Sequence, residues 1–219
     1  MSKYTLPDFS SAALITIDMQ QDTLYGQPFE IPGTSAILPI LKSLLESFRE
    51  VGKPIIHMVR IYRSDGSNVD LCRKERVEEG AQLVLAGSSG CEIAFELFSG
   101  QESHLQTEAL LAGKIQRIGP HEVILFKPRW GAFYRTPLEA YLREQRISTL
   151  IFTGCNFPNC PRTSIYEASE RDFRVLLIED AVSGLYKRGK EELRNIGVSV
   201  LKADEVRNCL YDGEKAVNK

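Results

Sequence analysis

The stretch IFTGCNFPNCPRTSIYEAS, residues 151–169, sets Cys155 and Cys160 where an apolar run gives way to a helical pattern. A cysteine can be a small buried hydrophobe, a metal ligand or a nucleophile. Cys160 stands directly before Pro161, a residue suited to the first turn of a helix. Its sulfur would then sit at a helix N-terminus, where unpaired N–H groups and the positive end of the dipole favour thiolate over thiol. Cys155, at the end of the apolar run, lacks that setting and reads as packing. Two further groups invite attention. Asp18 follows ALITI directly and Lys127 closes EVILFK, so each stands where an apolar segment ends. Alone, the aspartate is a proton acceptor or a turn cap, and the lysine an orienting charge or a surface cation.

The elements that must position these groups are legible as alternation. AALITID, PIIHMV, EVILFK, TLIFTG, RVLLIED and VSVLKA are too continuously apolar to be strands with one wet face, and fit buried parallel strands. Helical patterns lie between them: TSAILPILKSLLESFREVG, TPLEAYLREQR, PRTSIYEASERDF and KRGKEELRNIG. Thr136, Pro137 and Glu139 read as a helix start with a capping box. Strand–helix alternation specifies an α/β fold, a parallel sheet of about six strands with helices on both faces, and ligands in such sheets bind beyond the carboxyl ends of the strands. Residues 60–80 are polar enough to read as a surface excursion, a possible lid. Residues 87–121 mix a short amphipathic turn with a polar connection and receive no assignment. In the first excursion, Arg60, Arg63, Arg73 and Arg76 read more readily as water-facing charges than as partners of a substrate carboxylate.

Composition narrows the class. In 219 residues, charged side chains make up 26% and the net charge is −2, which leaves no field for nucleic acid. One domain over residues 1–219 is expected at this length. No window has the length of a membrane span or a secretory signal, so a cytoplasmic protein is expected. The odd count of 5 cysteines argues against a disulfide framework. No GxGxxG follows the first strand, which disfavours a dinucleotide-binding oxidoreductase.

ALITIDMQQD, LFKPRWGAFYRTPLEAYLREQRISTLIFTG and GCNFPNCPRTSIYEASERDFRVLLIEDAVSG occur in an order and spacing that resembles the isochorismatase-like cysteine hydrolases. The resemblance runs from residue 10 to about 202 and is strongest over 123–184. It implies a three-layer α/β/α, Rossmann-like fold. It also implies that Asp18, Lys127 and Cys160 form a catalytic triad that hydrolyses a small amide or other C–N bond through a Cys160 thioester. The Asn156 and Cys160 N–H groups would then serve as the oxyanion hole, turned inward by a cis Cys155–Asn156 bond, with Trp130, Ala132, Phe133 and Phe157 lining the pocket. Asp180 matches the family's Asp-Ala position and would fix backbone. A homo-oligomer, dimer or tetramer, working on a small molecule without cofactor is implied.

Departures bear on the details. Pro161 follows the nucleophile where relatives usually have an aliphatic residue, Thr23 stands where phenylalanine is frequent, and Phe157 and Pro158 replace smaller or polar residues. Nicotinamidase-like relatives hold a metal near the end of the second strand, yet that place reads HMVRIYRSDGSN, with His104 and His121 far away in sequence. No metal is expected, and His57 reads as a core histidine. The competing readings are an isochorismatase-type vinyl ether hydrolase, against which Cys160 argues, and a catalytically silent binding homologue.

Overall fold

The computed structural model describes residues 2–98 and 104–217. The six expected strands form, as β1 (Ala12–Ile17), β2 (Ile55–Val59), β4 (Glu122–Phe126), β5 (Thr149–Gly154), β6 (Arg174–Val182) and β7 (Ser199–Leu201), and all pair in parallel. A seventh, β3 (Gln116–Arg117), adds antiparallel to β4 at the edge, giving the order β3-β4-β2-β1-β5-β6-β7. Its two residues are too short to leave a periodicity, which is why the sequence count falls one short.

Among the described residues, seven α-helices cover the sheet: α1 (Leu38–Glu50), α2 (Leu71–Glu78), α3 (Thr107–Leu111), α4 (Leu138–Glu144), α5 (Cys160–Ser169), α6 (Lys187–Asn195) and α7 (Ala203–Val217). Strand alternation divides the core between two layers. Ala12 and Leu14 of β1 face α1 and α7, whose Leu41, Leu44, Leu45, Phe48, Val206 and Leu210 are buried there. Ala13, Ile15 and Ile17 face the opposite cluster, with Leu138 and Leu142 of α4, Ile165 of α5 and Leu193 of α6. The spacing 41, 44, 45, 48 makes one apolar stripe on α1, and each such side chain contributes roughly 1.5–3 kcal/mol by leaving water.

The capping box forms by half. The Leu138 N–H donates to Thr136 Oγ1 at 3.3 Å, but Glu139 turns away to pair with Arg171 at 3.0 Å. Within the unassigned stretch 87–121 lie α3, β3 and two 3-10 turns, Ser89–Cys91 and Phe95–Leu97, residues 99–103 falling outside the described set. The expected surface excursion at 60–80 contains α2 and, contrary to expectation, buries Arg60 and Asp70.

His57 is a buried core residue with both ring nitrogens partnered: Nδ1 lies 2.8 Å from Thr16 Oγ1 and Nε2 2.8 Å from Glu122 Oε1. Glu122 also pairs with Arg49 at 2.7 Å. Burial opposes its charge, but the hydrogen bonds from Arg49 and His57 win and hold the carboxyl down at about 2. A depressed carboxyl stabilises the fold fully above its ordinary range and ceases to do so as pH falls toward its folded value. The wild type is therefore expected to lose on the order of 3 kcal/mol through this group during acidification. Glu122→Gln should be less stable near neutral pH yet flatter on the acid limb, as urea unfolding at several pH values would measure.

Candidate active site

The sheet register aligns the chemistry. Ile17 pairs with Met58 and with Gly154, while Val59 pairs with Phe126. The next residues, Asp18, Arg60, Lys127 and Cys155, therefore emerge side by side at the carboxyl edge. Backbone bonds extend the ladder by one step: Asp18 N–H to Met58 O at 3.0 Å, Lys127 N–H to Val59 O at 2.9 Å and Cys155 N–H to Ile17 O at 2.9 Å. Asp18 turns off the sheet at φ 49°, a left-handed conformation that aspartate tolerates better than most side chains. At Gly154, φ is 107° and a Cβ would fall 2.3 Å from Ile17 O, so only glycine fits.

Lys127 is fully buried, and its Nζ donates to Asp18 Oδ2 at 2.8 Å. A second bond, to Arg129 O at 3.3 Å, fixes the ammonium. Cys160 opens α5 as its first residue and is 4% exposed. Its carbonyl accepts from Ser164 Oγ at 2.7 Å, and Ser164 Oγ in turn accepts from the Ala132 N–H at 3.0 Å, tying α5 to the segment after Lys127. The Asp18 charge acts on the thiol, while Asp18 Oδ1 is buried with no hydrogen-bond partner.

The helix N-terminus does not produce the expected resting thiolate. Burial raises the Cys160 thiol, the Asp18 charge raises it further, and Lys127 and Arg60 offset only part, leaving it at about 11. Burial disfavours the charged form of a group removed from water. The site at rest therefore holds a neutral thiol facing a carboxylate. Cys155 is pushed up to about 12, chiefly by burial, consistent with its reading as packing.

Asp18, Cys160, Cys155 and Asn156 line one cavity of about 300 Å³. Its walls mix apolar side chains, among them Phe29, Ile31, Leu83, Val84 and Trp130, with polar Gln20, Arg60, Arg73 and Arg76, as in a small-molecule site. Of the expected lining residues only Trp130 is there. Ala132, Phe133 and Phe157 are buried in the helix-side core, Phe133 against Phe173 with ring centroids 5.9 Å apart and Phe157 against Tyr186 at 5.4 Å. Large apolar rings so close to a sheet bury more surface by packing inward than by facing a polar cavity. The expected cis bond is also absent: every described peptide is trans. Among the described residues, neither the Asn156 nor the Cys160 N–H meets an acceptor. Asp180 Oδ1 accepts from the Ala203 N–H at 2.9 Å, a backbone-fixing contact.

The isochorismatase domain matches residues 12–204 of this sequence. The chain belongs to the isochorismatase family. Over 206 residues it is 28% identical to an N-carbamoylsarcosine amidase of Arthrobacter, covering 89% of this chain and 69% of that protein. It is 26% identical over 195 residues to a probable inactive nicotinamidase of Arabidopsis thaliana, covering 86% and 90%. An isochorismatase family protein from Desulfovibrio vulgaris superposes with a TM-score of 0.77 at 28% identity, over 92% of this chain and 98% of that one.

Within this isochorismatase framework the least anticipated residue is Arg60, 4% exposed on the cavity wall. Its backbone is clasped by Gln20, which accepts from the Arg60 N–H at 2.8 Å and donates to the Arg60 carbonyl at 2.8 Å. The available signal was position: Arg60 follows PIIHMV as Asp18 follows ALITI. Among the described residues no group of three or more His, Cys, Asp or Glu side chains could hold a metal, and no helix is long and apolar enough to cross a membrane.

Proposed function

We propose that this member of the isochorismatase family is a cysteine-dependent amidohydrolase of small molecules, with Asp18, Lys127 and Cys160 as its catalytic triad. The observation that carries the reading is the buried Lys127–Asp18 pair set against the Cys160 thiol on the wall of one cavity. The amidase activity named for the Arthrobacter relative supports it.

The resting protonation state sets the sequence of steps. As Cys160 Sγ attacks the substrate carbonyl carbon, its proton passes to Asp18, so the thiolate exists only as the new C–S bond forms. Lys127 holds the carboxylate in place and stabilises negative charge in the site. The tetrahedral oxyanion is assigned to the Asn156 and Cys160 N–H groups, the donors left without acceptors; Pro161 has none to offer. Asp18 returns the proton to the leaving nitrogen, the C–N bond breaks, and ammonia or an amine departs from a Cys160 thioester. Water then gives a proton to Asp18 and attacks the thioester, and the sulfur leaves as thiol by taking that proton back.

As part of the same proposal, the enzyme acts in the cytoplasm as a homo-oligomer of one-domain subunits, without nucleic acid or membrane partner. The test is ammonia release from a panel of small primary amides and ureides, in the wild type beside Cys160→Ala. Release by the wild type that vanishes in the variant is expected. Release that survives unchanged would overturn the nucleophile, and silence of the wild type across the panel would favour a silent homologue like the Arabidopsis protein.

A further inference from the structure

Ala132 and Phe133 are buried a few residues after Lys127, outside any helix or strand, so their N–H groups must find acceptors beyond a regular ladder. Both acceptors are side chains of α5. Ser164 Oγ accepts from the Ala132 N–H at 3.0 Å while donating to the Cys160 carbonyl at 2.7 Å, and Glu167 Oε2 accepts from the Phe133 N–H at 2.9 Å. Cys160, Ser164 and Glu167 stand at i, i+4 and i+7 and so share one helix face. The face that carries the nucleophile also grips the loop.

The fit leaves no slack at Gly131. A Cβ there would fall 2.1 Å from Glu167 Oε2, so the carboxylate lies against bare backbone, and a methyl would push it off the Phe133 N–H. The other end of the loop meets the triad. Arg129 O accepts from Lys127 Nζ at 3.3 Å, and Nζ donates to Asp18 Oδ2 at 2.8 Å. Just before α4, Thr136 Oγ1 donates to the Ala132 carbonyl at 2.6 Å and anchors the loop downstream. Backbone bonds of the sheet fix Asp18 and Lys127 relative to each other, but α5 is no part of that ladder. Its distance from the pair must be set by contacts such as these.

We infer that Ser164 and Glu167 are positioning residues: they fasten residues 128–133 to the helix that carries the sulfur, and so set Cys160 against the Lys127–Asp18 pair. The inference rests on the amidohydrolase reading and adds two residues to it. Neither lines the cavity, so each acts through the groups it holds. The demand for precision is steep, since misplacing reacting groups by about 1 Å can cost on the order of 100-fold in rate.

Trp130 is the single tryptophan of the chain and lies between Arg129 and Gly131 on the cavity wall, so its fluorescence reports this loop directly. Glu167→Ala is expected to shift its emission to longer wavelength and to raise its quenching by acrylamide. On the best amide of the panel, kcat should fall roughly 10- to 100-fold while KM stays within about threefold. Glu167→Gln keeps an oxygen for the Phe133 N–H and should restore the emission and most of kcat. Gly131→Ala should reproduce the effects of Glu167→Ala, yet add little to them in the double variant, because both remove the same contact. It carries the same test if Glu167→Ala does not fold. In protein still folded by circular dichroism, unchanged emission, changed emission with unchanged kcat, or a rise in KM alone would overturn the inference. So would losses that multiply in the double variant, or no rescue by glutamine. Silence of the wild type toward every amide would overturn the amidohydrolase reading and this inference with it, whereas an active wild type beside an unaffected Glu167→Ala would overturn this inference alone.

Discussion

Cys160→Ala is expected to lower kcat/KM for ammonia release by at least about 10⁴-fold, because a covalent route loses the atom that forms its bond and the remaining groups supply only binding and charge. The substitution removes a single sulfur from a packed position, and α5 keeps its first turn through Pro161 and the Ser164 bond to the residue 160 carbonyl. The melting temperature should therefore change little, which separates loss of chemistry from loss of fold. Cys160→Ser is expected to be nearly as inactive: a hydroxyl in this desolvated place yields its proton less readily than a thiol already raised to about 11.

Asp18→Asn should move two observables in opposite directions. Hydrolysis is expected to fall by about 10²–10⁴-fold, the range associated with losing a positioned proton acceptor. Reactivity of the Cys160 thiol toward a haloacetamide, in contrast, should rise. After burial, the Asp18 charge is the largest influence raising that thiol, and Lys127 and Arg60 pull the other way. With the carboxylate gone the two cations act unopposed, the thiol falls from about 11, and at any fixed pH below that value more thiolate is present. In the wild type, alkylation of Cys160 should climb with pH until about 11. Peptide mapping of labelled protein at a series of pH values reads both. An unchanged alkylation profile in Asp18→Asn would show that the carboxylate does not face the sulfur. Because the variant leaves Lys127 buried without its counter-ion, a loss of roughly 3–5 kcal/mol of stability is also expected, and the rates belong well below its melting temperature.

The strand ends were the legible part of this protein. A buried parallel strand must be apolar throughout, so the first charged residue after one marks the edge of the sheet, and Asp18 and Lys127 both announce themselves that way. The same rule pointed to Arg60, yet the polar run behind it concealed that Asp70, ten residues on, folds back to cover it. That closure depends on a side-chain pair and leaves no periodicity. The thiol was misjudged for a related reason: the helix N-terminus is a local feature readable from Pro161, whereas desolvation is decided by everything packed around the sulfur. Phe133 and Phe157 show the limit for aromatic residues near a site, since the sequence places them beside the loop without saying which side of it they face. Resemblance carried the constellation of Asp18, Lys127 and Cys160 across more than a hundred residues of chain, something composition and spacing could not do.

A covalent bond between substrate and Cys160 after the nitrogen has left is tested most directly by adding hydroxylamine during turnover. A thioester formed on Cys160 would be intercepted, so ammonia should continue to appear while the acid product is replaced by a hydroxamate, or by hydroxyurea-type product from a ureide. Acid as the sole product at every hydroxylamine concentration, with ammonia release undiminished, would mean that water attacks the amide directly and would contradict the account.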